Sequence, residues 1–189
     1  MEIHSKEEVD NILKDVENEK YIIDDIKKGE KKRTPAPPFT TSTMQQEASR
    51  KLGFTLKKTM AVAQSLYEGV KIEEKGTVGL ITYMRTDSTR ISEEARKAAK
   101  EYIVNHYGEN YYENRYYKTK ADSQDAHEGI RPTYADLEPE SIKSSLTPDQ
   151  YKLYRLIYQR FMASQMASAI YDTMAVTVKA NEYEFKANG

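Results

Sequence analysis

The sequence contains no cysteine, and this absence excludes several kinds of site. A chain without thiols has no disulfide framework, no thiolate zinc site and no thiol nucleophile. The three histidines, His4, His106 and His127, lie far apart in the sequence, which argues against a histidine-based metal site. A chain without cysteine also fits a reducing compartment.

An excess of positive charge and a long apolar run are also missing. The 29 basic and 30 acidic residues nearly balance, whereas a domain that holds nucleic acid by phosphate neutralisation alone should be more basic. Any DNA contact is therefore expected to be local, or shared with a region outside this sequence. No apolar run approaches membrane-spanning length, and the N-terminus lacks the apolar core of a signal peptide. We expect a soluble, cytoplasmic protein without a membrane partner.

A short polar segment in the middle of the chain carries the strongest chemical signal. Residues 78–81 are apolar, as in a short buried strand, and the chain then stays polar until a helix start at Ser92. Tyr83, Arg85 and Asp87 are spaced i, i+2, i+4, which places them on one face of an extended backbone. A phenol beside a guanidinium is a workable nucleophile for a phosphodiester, because the fixed charge stabilises both the phenolate and the phosphate product. With 15 tyrosines in the chain, an ordinary packing role for Tyr83 stays open.

A second polar cluster lies in residues 124–133, which have no clean periodicity. This stretch gathers His127, Asp125, Glu128 and Arg131 in a short segment that ends at a proline. Irregular backbone with such side chains often carries binding sites. A salt-bridged loop explains the same residues equally well.

Capping and periodicity signals predict five helices, at about residues 6–17, 44–52, 56–67, 92–107 and 148–169. Thr43 with Gln46 is the predicted capping box of the second helix. The second and third helices, joined across Gly53, resemble either a helix-turn-helix or an ordinary helical hairpin. The hairpin is favoured because the basic residues gather at the turn. The tyrosine-rich residues 109–121 suit either base stacking or wrapping of a loop onto the body.

The flanks of the chain predict strands, at about residues 21–32 and 171–178, with a further strand after Asn181. The proline-rich stretch 35–38 is typical of a connector. These patterns predict an α+β fold. A mostly helical domain spans residues 43–169, and residues 1–42 and 170–189 pair into a discontinuous β-rich domain.

Three stretches of the chain, at residues 37–54, 79–88 and 124–133, resemble bacterial DNA topoisomerase I, a type IA enzyme. The most specific of them reads Gly-Leu-Ile-Thr-Tyr-Met-Arg-Thr-Asp-Ser and contains Tyr83. The order and approximate separations of the three stretches match this family, so the resemblance covers nearly the whole chain. One departure is Gly129, where the family is expected to have alanine.

The resemblance implies a role for each polar residue of these stretches. Tyr83 would attack a single-stranded DNA phosphodiester, form a 5′-phosphotyrosyl link and free a 3′-hydroxyl. Arg85 would hold the scissile phosphate, and His127 would approach the same phosphate as a donor. Asp87 would orient His127, and Ser88 and Arg131 are candidate DNA contacts. Strand passage and religation would then relax negatively supercoiled DNA.

The resemblance also implies parts that this sequence does not contain. Enzymes of the family need Mg²⁺, held by an acidic cluster in a separate metal-binding domain, and no such cluster is found here; Asp24 and Asp25 fit a surface strand. We therefore expect a monomeric fragment that carries the active-site tyrosine and part of an arch domain and does not turn over alone.

Two other functions are weighed against this one. A non-catalytic helical module for DNA binding or protein docking would use the tyrosine-rich loop, but no helix shows the long basic stripe that would favour it. A tyrosine recombinase would gather arginines and histidines around a tyrosine late in the chain. Here Tyr83 precedes His127, which disfavours that class.

Overall fold

The computed structural model describes residues 3–73, 75–117 and 127–189. Its helices and strands form an α+β fold, which confirms the predicted fold class. In chain order they are α1 (Lys6–Val16), β1 (Ile22–Arg33), α2 (Thr41–Leu52), α3 (Leu56–Glu68), β2 (Val70–Ile72), β3 (Gly76–Val78), α4 (Glu93–Tyr107), α5 (Pro148–Gln165), β4 (Ala169–Ala180) and β5 (Tyr183–Asn188). In the described ranges, no helix is long and apolar enough to cross a membrane.

Contacts within the chain divide it into two compact units. One consists of the described residues up to Arg33 together with Ala169–Gly189, and the other of Thr34–Ser168. Residues 34–42 were predicted to belong to the β-rich domain but lie in the helical unit. The reason is Phe39, which is fully buried in the core of that unit. Its carbonyl also accepts a hydrogen bond from the amide of Ile130 at 2.7 Å.

The smaller unit is built on an antiparallel sheet in the order β1-β4-β5. The two flanks of the chain therefore pair with each other, as predicted, with Ile26 opposite Val176. A bulge between Ile23 and Asp25 interrupts the register of β1. Asn181, with φ of 54°, closes the hairpin between β4 and β5, because asparagine tolerates the left-handed conformation better than most residues.

The larger unit is organised around α5, which contacts α2, α3 and α4. Leu153, Ile157 and Phe161 on this helix are all buried in the core. Tyr154 is buried as well, and its hydroxyl donates to the carbonyl of Leu137 at 2.7 Å. This bond satisfies the polar end of the side chain. Burial raises the pKa of Tyr154, so the phenol stays neutral and the residue has a packing role in the core.

Two helix ends differ from the prediction. The cap of α2 is Thr40, three residues before the predicted cap Thr43, because Thr40 is extended and its hydroxyl accepts from the Thr43 amide. The helix α5 ends at Gln165 and not near residue 169. Its chain turns extended at Met166, and the next amide, that of Ala167, donates to the carbonyl of Tyr111 at 2.8 Å.

The predicted strand at residues 78–81 is also modified. Regular pairing ends with β3 at Val78, and Ile81 forms only an isolated bridge with Pro132. Between them, Gly79 passes so close to α3 that a Cβ would lie 2.7 Å from the carbonyl oxygen of Tyr67. The amide of Leu80 then donates to the carbonyl of Leu66 at 2.8 Å. These contacts fix where the polar segment begins.

Candidate active site

The tyrosine segment, residues 82–88, alternates between buried and exposed side chains. Met84, Thr86 and Ser88 are buried, whereas Arg85 and Asp87 are exposed. This alternation is what an extended backbone with one face on the core produces. The prediction places Tyr83, Arg85 and Asp87 on one face. Arg85 and Asp87 are both exposed, but Tyr83 is half-buried, and no regular strand forms there.

Tyr83 itself is half-buried and packs against the edge of the core. Its ring makes edge contacts on two sides, with Tyr67 at a centroid distance of 5.4 Å and with His127 at 5.2 Å. Edge-to-face geometry is the favourable arrangement for aromatic rings. These contacts orient the ring and bring the two polar stretches of the sequence, 79–88 and 124–133, into direct contact.

An open pocket of about 510 Å³ lies beside this ring pair. Its lining comes from two places, the first turn of α2 and the tyrosine segment, with one histidine added: Thr41, Ser42, Arg85, Thr86, Asp87 and His127. Tyr83 is adjacent to the pocket through its contact with His127 and is not among the lining residues. Arg85 is therefore the exposed cation nearest in sequence to Tyr83, and it faces open space that admits a ligand.

Hydrogen bonds from two threonines, Thr82 and Thr41, hold the backbone before and after Tyr83. Before it, the hydroxyl of Thr82 donates to the carbonyl of Gly129 at 2.9 Å and accepts from the amide of Arg131 at 3.1 Å. The amide of Thr82 donates to the carbonyl of Arg131 at 3.0 Å. This set of bonds holds Tyr83 next to the segment that carries His127.

The backbone that follows Tyr83 is held by Thr41, at the start of α2. Its hydroxyl donates to the carbonyl of Met84 at 2.7 Å and accepts from the amide of Thr86 at 2.9 Å. Its own amide donates to the carbonyl of Thr86 at 2.9 Å. The backbone on both sides of Arg85 is therefore tied to one helix terminus.

Comparison with known proteins identifies the family of this site. The family model described as DNA topoisomerase matches residues 1–189. The full-length topoisomerase I of Thermotoga maritima superposes with a TM-score of 0.83 at 39% sequence identity. The chain belongs to the bacterial type IA DNA topoisomerases. The match covers 99% of this chain and 30% of the Thermotoga enzyme, so the activity of the whole enzyme is treated below as a proposal.

Two residues that the resemblance assigned to DNA, Ser88 and Arg131, are not among the residues that line this pocket of the topoisomerase chain. Ser88 has no exposed surface, and its hydroxyl accepts from the amide of Arg90 at 3.1 Å. Arg131 donates from Nε and Nη2 to the same carboxylate oxygen of Glu128, at 3.0 and 2.6 Å. Both side chains already have protein partners, and their predicted contacts with DNA stay predictions.

Glu128 is the acidic partner that ties this region to α4. It pairs with Arg131 and accepts a hydrogen bond from the amide of Ser92, the cap of α4. Burial opposes ionisation of Glu128, but the bonds from Ser92 and the charge of Arg131 outweigh it. The pKa of Glu128 is consequently below its usual value. The carboxylate has a structural role, as one of the two readings of this cluster proposed.

The Mg²⁺ of the family has no matching ligand set in the parts of the chain that the structure describes. No group of three or more acidic, histidine or cysteine side chains there is arranged to hold a metal ion. Asp87 and His127 line one pocket, but two such groups do not make a magnesium site, which uses oxygen ligands in octahedral geometry. The predicted residue Asp125 lies outside the described residues.

Three residues of the site were missed in the sequence. Thr41 and Thr82 fasten the tyrosine segment, and Tyr67 packs on the catalytic candidate itself. Thr41 and Thr82 lie in stretches that carry the family resemblance. Their partners, however, are 43 or more residues away, and nothing in one sequence records such pairings.

Proposed function

We propose that Tyr83 is the nucleophile of a type IA topoisomerase reaction on single-stranded DNA. Its phenolic oxygen attacks the phosphorus of a phosphodiester, and a 5′-phosphotyrosyl bond forms as the bond to the 3′-oxygen breaks. The phenol loses its proton and the leaving 3′-oxygen gains one, so no further reagent is required. Religation reverses these steps after strand passage, which relaxes negative supercoils.

The observation that carries this proposal is the contact between Tyr83 and His127 beside the pocket that Arg85 lines. An imidazole and a guanidinium line one space open to solvent, and the phenol of Tyr83 lies next to that space through its contact with His127. A phosphodiester in that space would gain negative charge during attack, and a fixed guanidinium stabilises that charge through two parallel hydrogen bonds. None of the described residues forms an ion pair or hydrogen bond with the side chain of Arg85, so this donor is available to a ligand.

His127 and Asp87 have supporting roles in this proposal. His127 is exposed, touches the Tyr83 ring and lines the pocket, and in this proposal one of its ring nitrogens donates to a phosphate oxygen. Asp87 lies on the same exposed face as Arg85 and would orient the cationic groups. Ser88 and Arg131 hydrogen-bond to protein groups and are secondary candidates for DNA contact in this proposal.

The remaining requirements of the reaction lie with other parts of the enzyme. Mg²⁺ would be bound by a metal-binding domain outside these 189 residues, so this chain would not turn over alone. In this proposal it is a monomeric, cytoplasmic part of a larger enzyme. The near-neutral charge of the chain agrees with a DNA groove that is shared with that domain.

A covalent-trapping experiment tests the proposal. The chain is mixed with labelled single-stranded DNA, a separately made metal-binding domain and Mg²⁺, and the reaction is quenched with denaturant. We expect label to migrate with the protein, and Tyr83→Phe to abolish it. Tyr67→Phe is the matched control, because Tyr67 is the neighbouring ring and should retain the adduct.

Two results would overturn the proposal. An adduct that persists in Tyr83→Phe would place the nucleophile elsewhere. Equal DNA binding by wild type and Tyr83→Phe with no adduct in either would favour the non-catalytic binding module.

A further inference from the structure

We propose that Thr41, on the first turn of α2, is a positioning residue that holds Arg85 in the pocket. This inference rests on the proposed function, since it assigns to Thr41 a part in the same phosphoryl transfer. Thr41 would not touch the reacting atoms. It would act through the backbone of residues 84–86.

The bonding pattern around Thr41 is specific to the residues that flank Arg85. The hydroxyl bridges the carbonyl of Met84 and the amide of Thr86, at 2.7 and 2.9 Å. The amide of Thr41 binds the carbonyl of Thr86 at 2.9 Å. Met84 has no exposed surface, so no water can replace the partner of its carbonyl if the hydroxyl of Thr41 is lost.

The consequence for Arg85 follows from its place between the two anchored residues. Its own side chain is exposed and has no described protein partner. The backbone on either side therefore sets where the side chain of Arg85 leaves the main chain. An anchored backbone reduces the reorganisation that the guanidinium needs to meet the developing charge, and a donor that needs little reorganisation contributes most.

A second threonine on the same turn separates positioning from helix stability. The hydroxyl of Thr43 accepts from the amide of Thr40 at 2.9 Å, within the capping box of α2. Among the hydrogen bonds of the described residues, Thr43 makes none to the tyrosine segment. Thr43→Val therefore removes a similar hydroxyl from the same helix turn and leaves the anchorage of residues 84–86 intact.

The experiment compares Thr41→Val, Thr41→Ser and Thr43→Val in the covalent-trapping reaction, with the affinity for the same labelled oligonucleotide measured separately. In Thr41→Val we expect the rate of adduct formation to fall by about ten- to a hundredfold, as expected for a catalytic group misplaced by about 1 Å. The affinity for DNA should change by less than about threefold, because Arg85 is one contact among many. Thr41→Ser retains the hydroxyl and should return to within about threefold of wild type. Thr43→Val should also stay within this range.

The outcomes separate this inference from the proposed function. If wild type forms an adduct through Tyr83 and Thr41→Val forms it equally fast, the inference is overturned and the proposed function stands. If Thr41→Val and Thr43→Val slow the reaction equally, Thr41 acts only through the stability of the start of α2, and the inference is overturned as well. If wild type forms no adduct, the proposed function fails first and the inference falls with it.

Discussion

The ring of Tyr83 lies against the imidazole of His127, with their centroids 5.2 Å apart and their planes at 66°. These residues are 44 positions apart, and each belongs to a different polar stretch of the sequence. Two sets of threonine hydrogen bonds, from Thr82 and from Thr41, hold the backbone around this pair. The tyrosine is thereby placed beside an open pocket by the protein core and not by loop contacts alone.

Replacement of Arg85 tests its charge and its shape separately. Arg85→Ala should slow adduct formation by about two to three orders of magnitude, as observed when a fixed donor to developing charge is removed. Arg85→Lys retains the charge but loses the planar fork, so it should recover only part of the rate. Quenched-flow trapping on labelled DNA measures both. Arg50→Lys, an exposed arginine on α2, is the control and should react like wild type; a fully active Arg85→Ala would contradict the assignment.

Replacement of His127 tests whether it donates to the phosphate. His127→Ala should slow trapping by about tenfold or more, and His127→Gln should be less affected because an amide retains a donor. The thermal midpoint should change little in either variant, since His127 is exposed. His106→Gln serves as the control, because His106 stacks on Tyr102 away from this pocket. Equal rates for wild type and His127→Ala would exclude a direct role.

Glu128 makes the free energy of unfolding depend on pH. Its pKa is below the usual value of 4.5, so its ionised form stabilises the folded state at neutral pH. This stabilisation is complete above about pH 4.5 and is lost as the pH falls through the lowered pKa. Glu128→Gln should therefore reduce the free energy of unfolding by about 2 kcal/mol at pH 7.

The difference between wild type and Glu128→Gln should shrink as the pH is lowered below about 4.5. Urea unfolding of both proteins at several pH values measures it. Glu140→Gln is the control, since Glu140 is a largely exposed carboxylate and its loss should change stability by less than about 0.5 kcal/mol. A difference that is constant from pH 7 to pH 3 would refute the ionic role of Glu128.

Two glycines beside the site should respond differently to alanine. At Gly79 a Cβ would lie 2.7 Å from the backbone oxygen of Tyr67, which cannot move without shifting α3. At Gly129 the nearest neighbour is the Cβ of Pro38, at 3.1 Å. Gly79→Ala should cost on the order of 2 kcal/mol of stability, and Gly129→Ala less than about 1 kcal/mol. Denaturant titrations test this order, and the reverse order would contradict this comparison of the space around the two glycines.

Much of the fold was predictable because its signals are local. The caps at Ser5, Thr55, Ser92 and Thr147 mark real helix starts, and each depends on residues within one turn. The pairing of the flanking strands followed from their position outside the helical middle. Local signals failed at α2, where a run of four threonine and serine residues offers several caps and the capping box is formed by Thr40 with Thr43.

The site was predictable only in part. The spacing of Tyr83, Arg85 and Asp87 indicated a shared face, and the structure shows Arg85 and Asp87 there. A shared role of Tyr83 and His127 at one phosphate was implied only by the family resemblance, and the contact between their rings was not predicted. The anchoring by Thr41 was not reached at all, because it joins residues 43 and 45 positions apart and a threonine before a helix already has a local explanation as a cap.

The most direct test of the central claim is to locate the DNA on the trapped protein. Trypsin should release residues 76–85 as one peptide, because the preceding residue is Lys75 and the last is Arg85, and Tyr83 is its only tyrosine. After nuclease treatment of the trapped complex, mass spectrometry should find this peptide with a nucleotide attached through its 5′-phosphate to Tyr83. A nucleotide on any of the other 14 tyrosines, with peptide 76–85 unmodified, would contradict the account.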